Sequence, residues 1–443
     1  MLKTFPKGGV HPAEGKLSAD QPIATLPLPE TVSIPIAQHI GAPAKPTVKK
    51  GDQVKVGDVI AQSGGFVSAN IHASVSGKVL KVDNVLDTSG YKKPAVIIQR
   101  EDDVWNEEID RDPTFTKHIN HSAKEIVEKI LKAGVVGLGG ATFPAHVKLS
   151  VPEGKKVDLL IINGVECEPY LTADHRLMLE KADQMLVGIQ LLMKALGVNR
   201  AIIGIENNKP EAIKHLQTKI SNYQGIEVQG LKVKYPQGGE KQLIKALVNR
   251  EVPSGGLPLD VGAVVHNVGT AYAVYEAVQK NKPLIERVVT VTGNSVEQPS
   301  NFMVRIGTPV SQLIDAAGGL PQDTGKVING GPMMGKALNS LDIPVVKGTS
   351  GILILPKEMA KRKKESTCVR CAKCVSVCPM GLEPFLLIKL TQKEMYDKLE
   401  ANAVMDCIEC GSCSYTCPAG VPLLDYIRLG KGKVSQIMRS RKS

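Results

Sequence analysis

The chain has 443 residues, 42% hydrophobic but only 4% aromatic, with a formal charge of +11; that suits about three or four domains with aliphatic cores. No apolar run approaches the ~20 residues of a membrane-spanning helix, and the opening "MLKTFPKGGVHPAEGK" lacks the apolar stretch of a secretory signal, so a cytoplasmic protein is expected. The excess charge fits an acidic partner or an anionic membrane surface, but no nucleic-acid motif and no aromatic interleaving accompanies it, and a nucleic-acid partner is not expected.

In residues 1–105, "KKGDQVKVGDVIA" followed by "ASVSGKV" repeats a strand–turn unit. This resembles lipoyl and biotinyl domains, flattened barrel-sandwich β folds. The hairpin that would carry a modified lysine has none between Val56 and Gly77, so no swinging arm is expected and a scaffold or docking role is left. His11 and His39 read as surface or packing residues.

From 115 to 285 the pattern is α/β. Ser122 and Glu125 form a capping box, Ile126, Ile130 and Leu131 one apolar face, and Gly134 the C-terminal stop. "VDLLIING", "RAIIGIE" and "IEVQGLKVKY" read as strands, and "GAVVHNVGTAYAVYEAV" closes the alternation. One long helix is expected over "DHRLMLEKADQMLVGIQLLMKALG", with others after Pro210 and from Glu240. A mostly parallel sheet covered by helices follows. The first helix leads into "GVVGLGGATFPAHVK", residues 134–148. That loop is not a dinucleotide fingerprint, because it follows a helix and has Thr142 where glycine is required, and it lacks the G-K-[ST] of a P-loop. Its adjacent glycines, Pro144 opening a new helix and Lys148 one turn on suit a phosphate cradle. On spacing alone, cradle and plain turn both stay open.

Residues 286–350 alternate as strands and then form a short helix, with "INGGPMMG" as a turn-rich connection. Eight of the nine cysteines lie between 368 and 417, a distribution unlike a disulfide framework. Cys368, Cys371, Cys374 and Cys378 precede Pro379; Cys407, Cys410, Cys413 and Cys417 precede Pro418. Both runs are C-x2-C-x2-C-x3-C-P, the bacterial spacing for [4Fe–4S] clusters, in which the fourth thiolate serves the other cluster. Cys368, Cys371, Cys374 and Cys417 are therefore assigned to one cluster, and Cys407, Cys410, Cys413 and Cys378 to the other. Zinc ribbons space their cysteine pairs more widely. A helical two-cluster ferredoxin domain is expected over 360–430, and a solvated basic tail over 431–443.

"GLGGATFPAHVKL" resembles the flavin-binding loop of the NADH-oxidising flavoprotein subunit of respiratory complex I. "INGVECEPYLTADHRLM" resembles its N-A-D-E-x-E-P-G segment and "HNVGTAYAV" its N-N-V-E-T segment. Over nearly the whole chain, the order of parts resembles the C-subunit family of Rnf ferredoxin:NAD+ oxidoreductase complexes: barrel sandwich, α/β flavoprotein domain, β-grasp segment and two cluster motifs. The resemblance implies FMN, NAD(H) as substrate, two [4Fe–4S] clusters, and a peripheral place on the cytoplasmic side of the membrane. The partners it implies are other Rnf subunits and, indirectly, ferredoxin. Energy coupling to ion transport would fall to those other subunits. By motif, Gly137, Gly139, Gly140 and Lys148 would face the FMN phosphate. Asn163, Glu166 and Glu168 would line the ribityl and ring side, with Asn267 and Thr270 opposite. Tyr235 and Glu240 match the stretch assigned to the nicotinamide nucleotide, with Gly239 replacing an acid there. No catalytic acid–base residue is named, since hydride transfer to a flavin needs none. Cys167, flanked by Glu166 and Glu168, reads as structural rather than nucleophilic. A soluble cobalamin reductase of the same architecture is the alternative.

Overall fold

The computed structural model describes residues 1–441; Lys442 and Ser443, the end of the expected tail, lie outside the described residues. Its centre is a four-stranded parallel sheet in the order Ile226–Leu231, Ala201–Glu206, Leu159–Asn163, Ala263–Asn267. The last three of these strands are almost wholly buried, as runs of Ile, Val and Leu must be when helices cover both faces. Strand order reverses between Leu159–Asn163 and Ala263–Asn267, whose last residues, Asn163 and Asn267, are register partners. Ligands of open α/β sheets bind at such a reversal, beyond the carboxyl ends of the strands.

The Ser122–Glu125 capping box forms on Ala123–Lys132, with Ile126 and Ile130 buried. Two expectations fail. The long helix is two helices, Ala173–Glu180 and Ala182–Leu196, broken at Lys181. Glu180 accepts from the Ile23 N–H at 3.0 Å and pairs with Arg176 at 2.7 Å. This ties the first helix to the N-terminal arm, while the second turns to pack on Val268–Gln279. The helix opened by Pro144 is only the five residues Ala145–Leu149, too short for its dipole to hold an anion.

The N-terminal barrel pairs Thr31–Pro35, Lys92–Arg100, Gly77–Leu86 and Gln53–Val54 in one sheet, and Lys45–Pro46, Val59–Gln62 and Ile71–His72 in a second. The first 25 residues reach beyond it. Lys3 bridges to Leu231, Val10 to Tyr235, and Ile23–Thr25 adds a parallel edge strand to Ser300–Arg305. That edge completes a six-stranded sheet with Glu286–Thr292, Gly351–Pro356, Thr324–Asn329 and Lys336–Ala337.

The expected solvated tail is a correction. Residues 431–440 continue the helix Leu423–Ser440, which buries Ile427 and Val434 against the cluster domain. Arg428 and Lys431 pair with Glu409, and Arg441 with Asp397 and Glu400. The apolar face at 423, 424, 427 and 434 has helical spacing, which the basic composition of this stretch hid. Among the described residues no helix is long and apolar enough to cross a membrane.

Lys347 ties three units together. Fully buried, its ammonium donates to the carbonyls of Asn70 (2.8 Å) and Gly134 (2.7 Å), and the Gln38 side chain accepts from its backbone N–H. Desolvation lowers its pKa to about 7. The unfolded chain, with an ordinary lysine, then binds more protons than the fold from about pH 7 up to about pH 10. Stability contributed by Lys347 is present above that window and lost as pH falls through it. The urea midpoint of the protein is expected to rise between pH 7 and pH 10 more steeply than that of Lys347→Met. Parallel curves would contradict the assignment.

Candidate functional site

Four loops meet at the sheet reversal. The glycine loop is held by the Gly137 N–H on the Phe143 carbonyl (2.9 Å) and the Leu138 N–H on the Thr270 hydroxyl (2.9 Å). Among the described residues, the N–H groups of Gly139, Gly140, Ala141 and Thr142 find no acceptor within the chain. Gly140 has φ +115° with open space around it, and a side chain on Gly139 would meet the Asn267 Cβ at 3.3 Å. A concave run of free N–H groups, opened by glycine, suits an anion. Thr142 stands at φ +50°, a conformation costly for a β-branched residue, which accounts physically for glycine at this place in the flavin-loop pattern.

Asn267 crosses the reversal. Its amide donates to the Asn163 carbonyl (3.3 Å) and to Asp174 (2.7 Å), and its oxygen caps the next helix through the Gly269 N–H (2.8 Å). The Asn163 amide donates to the Gly238 carbonyl (2.8 Å). Thus Gly137, Gly139, Gly140, Asn163, Asn267 and Thr270 are brought together. Thr270, fully buried, acts through the loop it holds.

The charged residues are disposed differently from the sequence expectation. Lys148 does not stand free before the loop; it pairs with Glu240 at 2.8 Å and donates to the Val265 carbonyl at 3.0 Å. The Glu166 carboxylate accepts from the Asp174 and His175 N–H groups (2.7 and 3.1 Å), capping the helix Ala173–Glu180. Glu168 turns to the Met333 and Met334 N–H groups (2.6 and 3.0 Å), and burial raises its pKa. The Tyr235 hydroxyl donates to the Cys410 carbonyl at 2.9 Å, so this residue faces the cluster domain. Cys167 accepts from the Gly238 N–H, and burial raises its pKa above the ordinary thiol range, which leaves it inert.

Several residues escaped sequence reasoning. Lys16, from the N-terminal arm, donates to the carbonyls of Glu166, Glu168 and Leu171 (2.9, 3.0 and 2.7 Å). Lys209 holds the Val165 carbonyl at 2.8 Å. His266 is buried beside Lys148 with its Nε2 unpartnered, its pKa lowered to about 3 by burial and by Lys148. Asp174 is raised to about 7 by burial and by the Glu166 charge, and it lines a cavity with Leu138, Gly269, Tyr272 and Arg287. Asp174, inside "INGVECEPYLTADHRLM", and His266, at the first place of the "HNVG" segment, carried a local signal; Lys16 and Lys209 carried none.

In the cluster domain, Arg370 and Glu409, each two residues after the first cysteine of its run, have φ +56° and +57°. Ala372 and Gly411, four residues after, have φ +55° and +77°. The two runs therefore make the same wrapping turn. Cys378 from the first run lines one cavity with Cys407, Cys410 and Cys413 from the second. Reciprocally, the Ser366 N–H, two residues before Cys368, donates to the carbonyl of Ala419, two residues after Cys417, at 2.9 Å. These placements fit crosswise ligation of two clusters. The free N–H run from Gly139 to Thr142, beside Asn267, fits an anionic cofactor at the sheet reversal.

Known proteins divide the chain in the same order. Family models match for an RnfC barrel sandwich hybrid domain over residues 3–103, a Nuo51 FMN-binding domain over 130–276, an SLBB domain over 288–337 and a 4Fe-4S dicluster domain over 360–418. The chain is 50% identical over 400 residues to the C subunit of the proton-translocating ferredoxin:NAD(+) oxidoreductase complex of Clostridium ljungdahlii, covering 90% of this chain and 86% of the relative. It is 49% identical over 433 residues to the C subunit of the Na(+)-translocating ferredoxin:NAD(+) oxidoreductase complex of Acetobacterium woodii, covering 97% and 96%. To the C subunit of the ion-translocating oxidoreductase complex of Rhodobacter capsulatus it is 42% identical over 442 residues, covering 98% and 84%.

Proposed function

Because the chain belongs to the C-subunit family of ion-translocating ferredoxin:NAD(+) oxidoreductase complexes, we propose that it is the subunit that exchanges electrons with NAD(H) and relays them singly to its partners. It is an electron-transfer subunit with an FMN-binding domain and a two-cluster iron–sulfur domain. FMN, when bound, takes two electrons as a hydride and passes them on one at a time to iron–sulfur centres. The cobalamin-reductase alternative is not favoured by these relatives.

The chain's own residues supply position. Gly139, Gly140, Ala141 and Thr142 would offer N–H groups to the FMN phosphate, with Leu138 fixed by Thr270 so that the loop holds its shape. Asn163 and Asn267 would border the ribityl and ring side at the sheet reversal. Lys148 would add positive charge from the end of its pairing with Glu240. The Tyr235 hydroxyl donates to the Cys410 carbonyl, which supports a relay order. The cluster of Cys378, Cys407, Cys410 and Cys413 would stand next to the flavin, and the cluster of Cys368, Cys371, Cys374 and Cys417 beyond it. The protein would lie peripherally, on the cytoplasmic side of the membrane. Relatives of nearly equal identity are named for proton and for sodium complexes, which fits an ion path carried by other subunits.

The observation that carries this reading is the free N–H run of Gly139–Thr142 placed at the strand-order reversal, within one fold with the paired cysteine loops. Its test is an anaerobic NADH titration of the isolated, reconstituted chain, following flavin and iron–sulfur absorbance together. Flavin bleaching followed by cluster bleaching is expected. A protein that binds no FMN, or whose clusters stay oxidised under excess NADH, sinks the reading.

A further inference from the structure

The two sets of cluster cysteines differ in exposure. Cys378, Cys410 and Cys413 are buried and Cys407 half-buried, whereas Cys368 and Cys371 are exposed and Cys374 and Cys417 half-buried. Every residue from 361 to 373 is exposed. This segment carries Lys361, Arg362, Lys363, Lys364, Arg370 and Lys373, against Glu365 alone. Only Arg362 has an acidic partner, Asp425 at 2.5 Å; among the described residues the other five basic side chains have none. In the C-terminal helix Arg428 and Lys431 pair with Glu409, and Arg441 just past it with Asp397 and Glu400, while among the described residues Lys433 and Arg439 have no acidic partner.

The basic segment also lies against the loop after Cys417. Ser366 donates to Ala419 at 2.9 Å, and a side chain on Gly420 would meet the Lys364 carbonyl at 2.9 Å. The positive residues therefore flank both sources of thiolate for the outer cluster. Val369 and Tyr415, each within two residues of a cysteine, are 66% and 50% exposed. Exposed apolar residues ringed by unpaired charge are the composition of a transient protein contact. The more buried set meanwhile faces the flavin domain through Tyr235, whose hydroxyl donates to the Cys410 carbonyl.

We propose that the exposed segment 361–373, together with the Cys417 loop, is the docking surface for an acidic protein domain that carries its own iron–sulfur centre near its surface. A single electron crosses the contact; one cluster is oxidised as the other is reduced, and no bond forms or breaks. An anionic membrane would satisfy the lysines but gives no use to a redox centre or to Val369 and Tyr415 beside them. The inference rests on the reading that both clusters are present, and iron content reports that separately from binding.

The test uses the full, reconstituted protein and an acidic two-cluster bacterial ferredoxin as the immobilised probe. Reversing Lys361, Lys363 and Lys364 to Glu is expected to weaken binding at least ~10-fold at low salt and to flatten its salt dependence. Reversing the exposed barrel lysines Lys45, Lys49 and Lys50 is expected to leave it unchanged. If the reversed protein loses iron, the milder pair Lys363→Gln and Lys364→Gln is measured, with a smaller loss of affinity expected. Unchanged ferredoxin binding at full iron content overturns the proposal. So does a loss confined to phosphatidylglycerol vesicles, or a shift of the cluster potential with no change in binding.

Discussion

Cys378→Ala is expected to destroy the cluster whose other three ligands lie at 407–413, and to spare the one built by its own sequence neighbours. Cys378 is buried in the same cavity wall as Cys407, Cys410 and Cys413, and its sulfur accepts from the Leu382 N–H at 3.3 Å. Iron should fall from about eight to about four atoms per chain. NADH should still bleach the flavin, since the loops at the sheet reversal are untouched. Electrons should no longer arrive at the outer cluster, because the missing centre stands between. Cys374→Ala is the mirror: the inner cluster remains and is reduced, and the outer signal disappears. Electron paramagnetic resonance of the two variants decides it. If Cys378→Ala removes the signal that Cys374→Ala removes, the crosswise pairing and the relay order both fall. Cys167→Ala should keep both clusters, because its thiol only receives the Gly238 N–H.

What could be read in advance follows the range of the forces involved. Cluster ligation is a local requirement, since three thiolates must reach one cubane through a short loop, so spacing alone exposes it. Parallel strands and their helices were readable for the same reason: alternating apolar runs and capping residues such as Ser122 and Glu125 act within a few positions. The break at Lys181 was not readable, because apolar periodicity continues through it and the contact beside it, Glu180 with the Ile23 N–H, comes from more than 150 positions away. Lys16 and Lys347 hold backbone carbonyls distant in sequence, and a buried lysine looks like a surface lysine until the fold brings carbonyls to it. Motif transfer picked out residues that the fold brings to the sheet reversal, Gly139 and Asn267 among them, but it carried no sign of what its carboxylates touch. Glu166 and Glu168 stand at the matching places, yet a helix N-terminus and the Met333–Met334 turn take their oxygens. Composition misled at the C-terminus, where basic residues conceal an amphipathic helix.

Gly140→Val is expected to cost flavin affinity while leaving both clusters in place. The site has room for the side chain, with nothing within 4 Å of an added Cβ, so a purely steric reading predicts no effect. The obstacle is the backbone at φ +115°, a region that L-residues with side chains rarely occupy. Holding valine there costs about 1–3 kcal/mol, and the chain can escape that strain only by turning the 139–142 peptide units. Turning them swings away the N–H groups that would face the phosphate, so the strain appears as lost affinity, about 5- to 150-fold on that scale. Gly154→Val separates this from general damage. Gly154 also has open space around it and φ +82°, but it lies in the turn before the first sheet strand, away from the loop. That variant should lose stability by a similar amount and bind FMN normally. Fluorescence titration with FMN, alongside iron content, compares the two. If Gly140→Val binds FMN as the parent does, the free N–H run is a solvent-facing turn and the phosphate must be held elsewhere; if both variants lose FMN equally, the loss reports folding. Loss in Gly140→Val alone means that the conformation of one glycine, rather than the space it leaves, holds the cofactor.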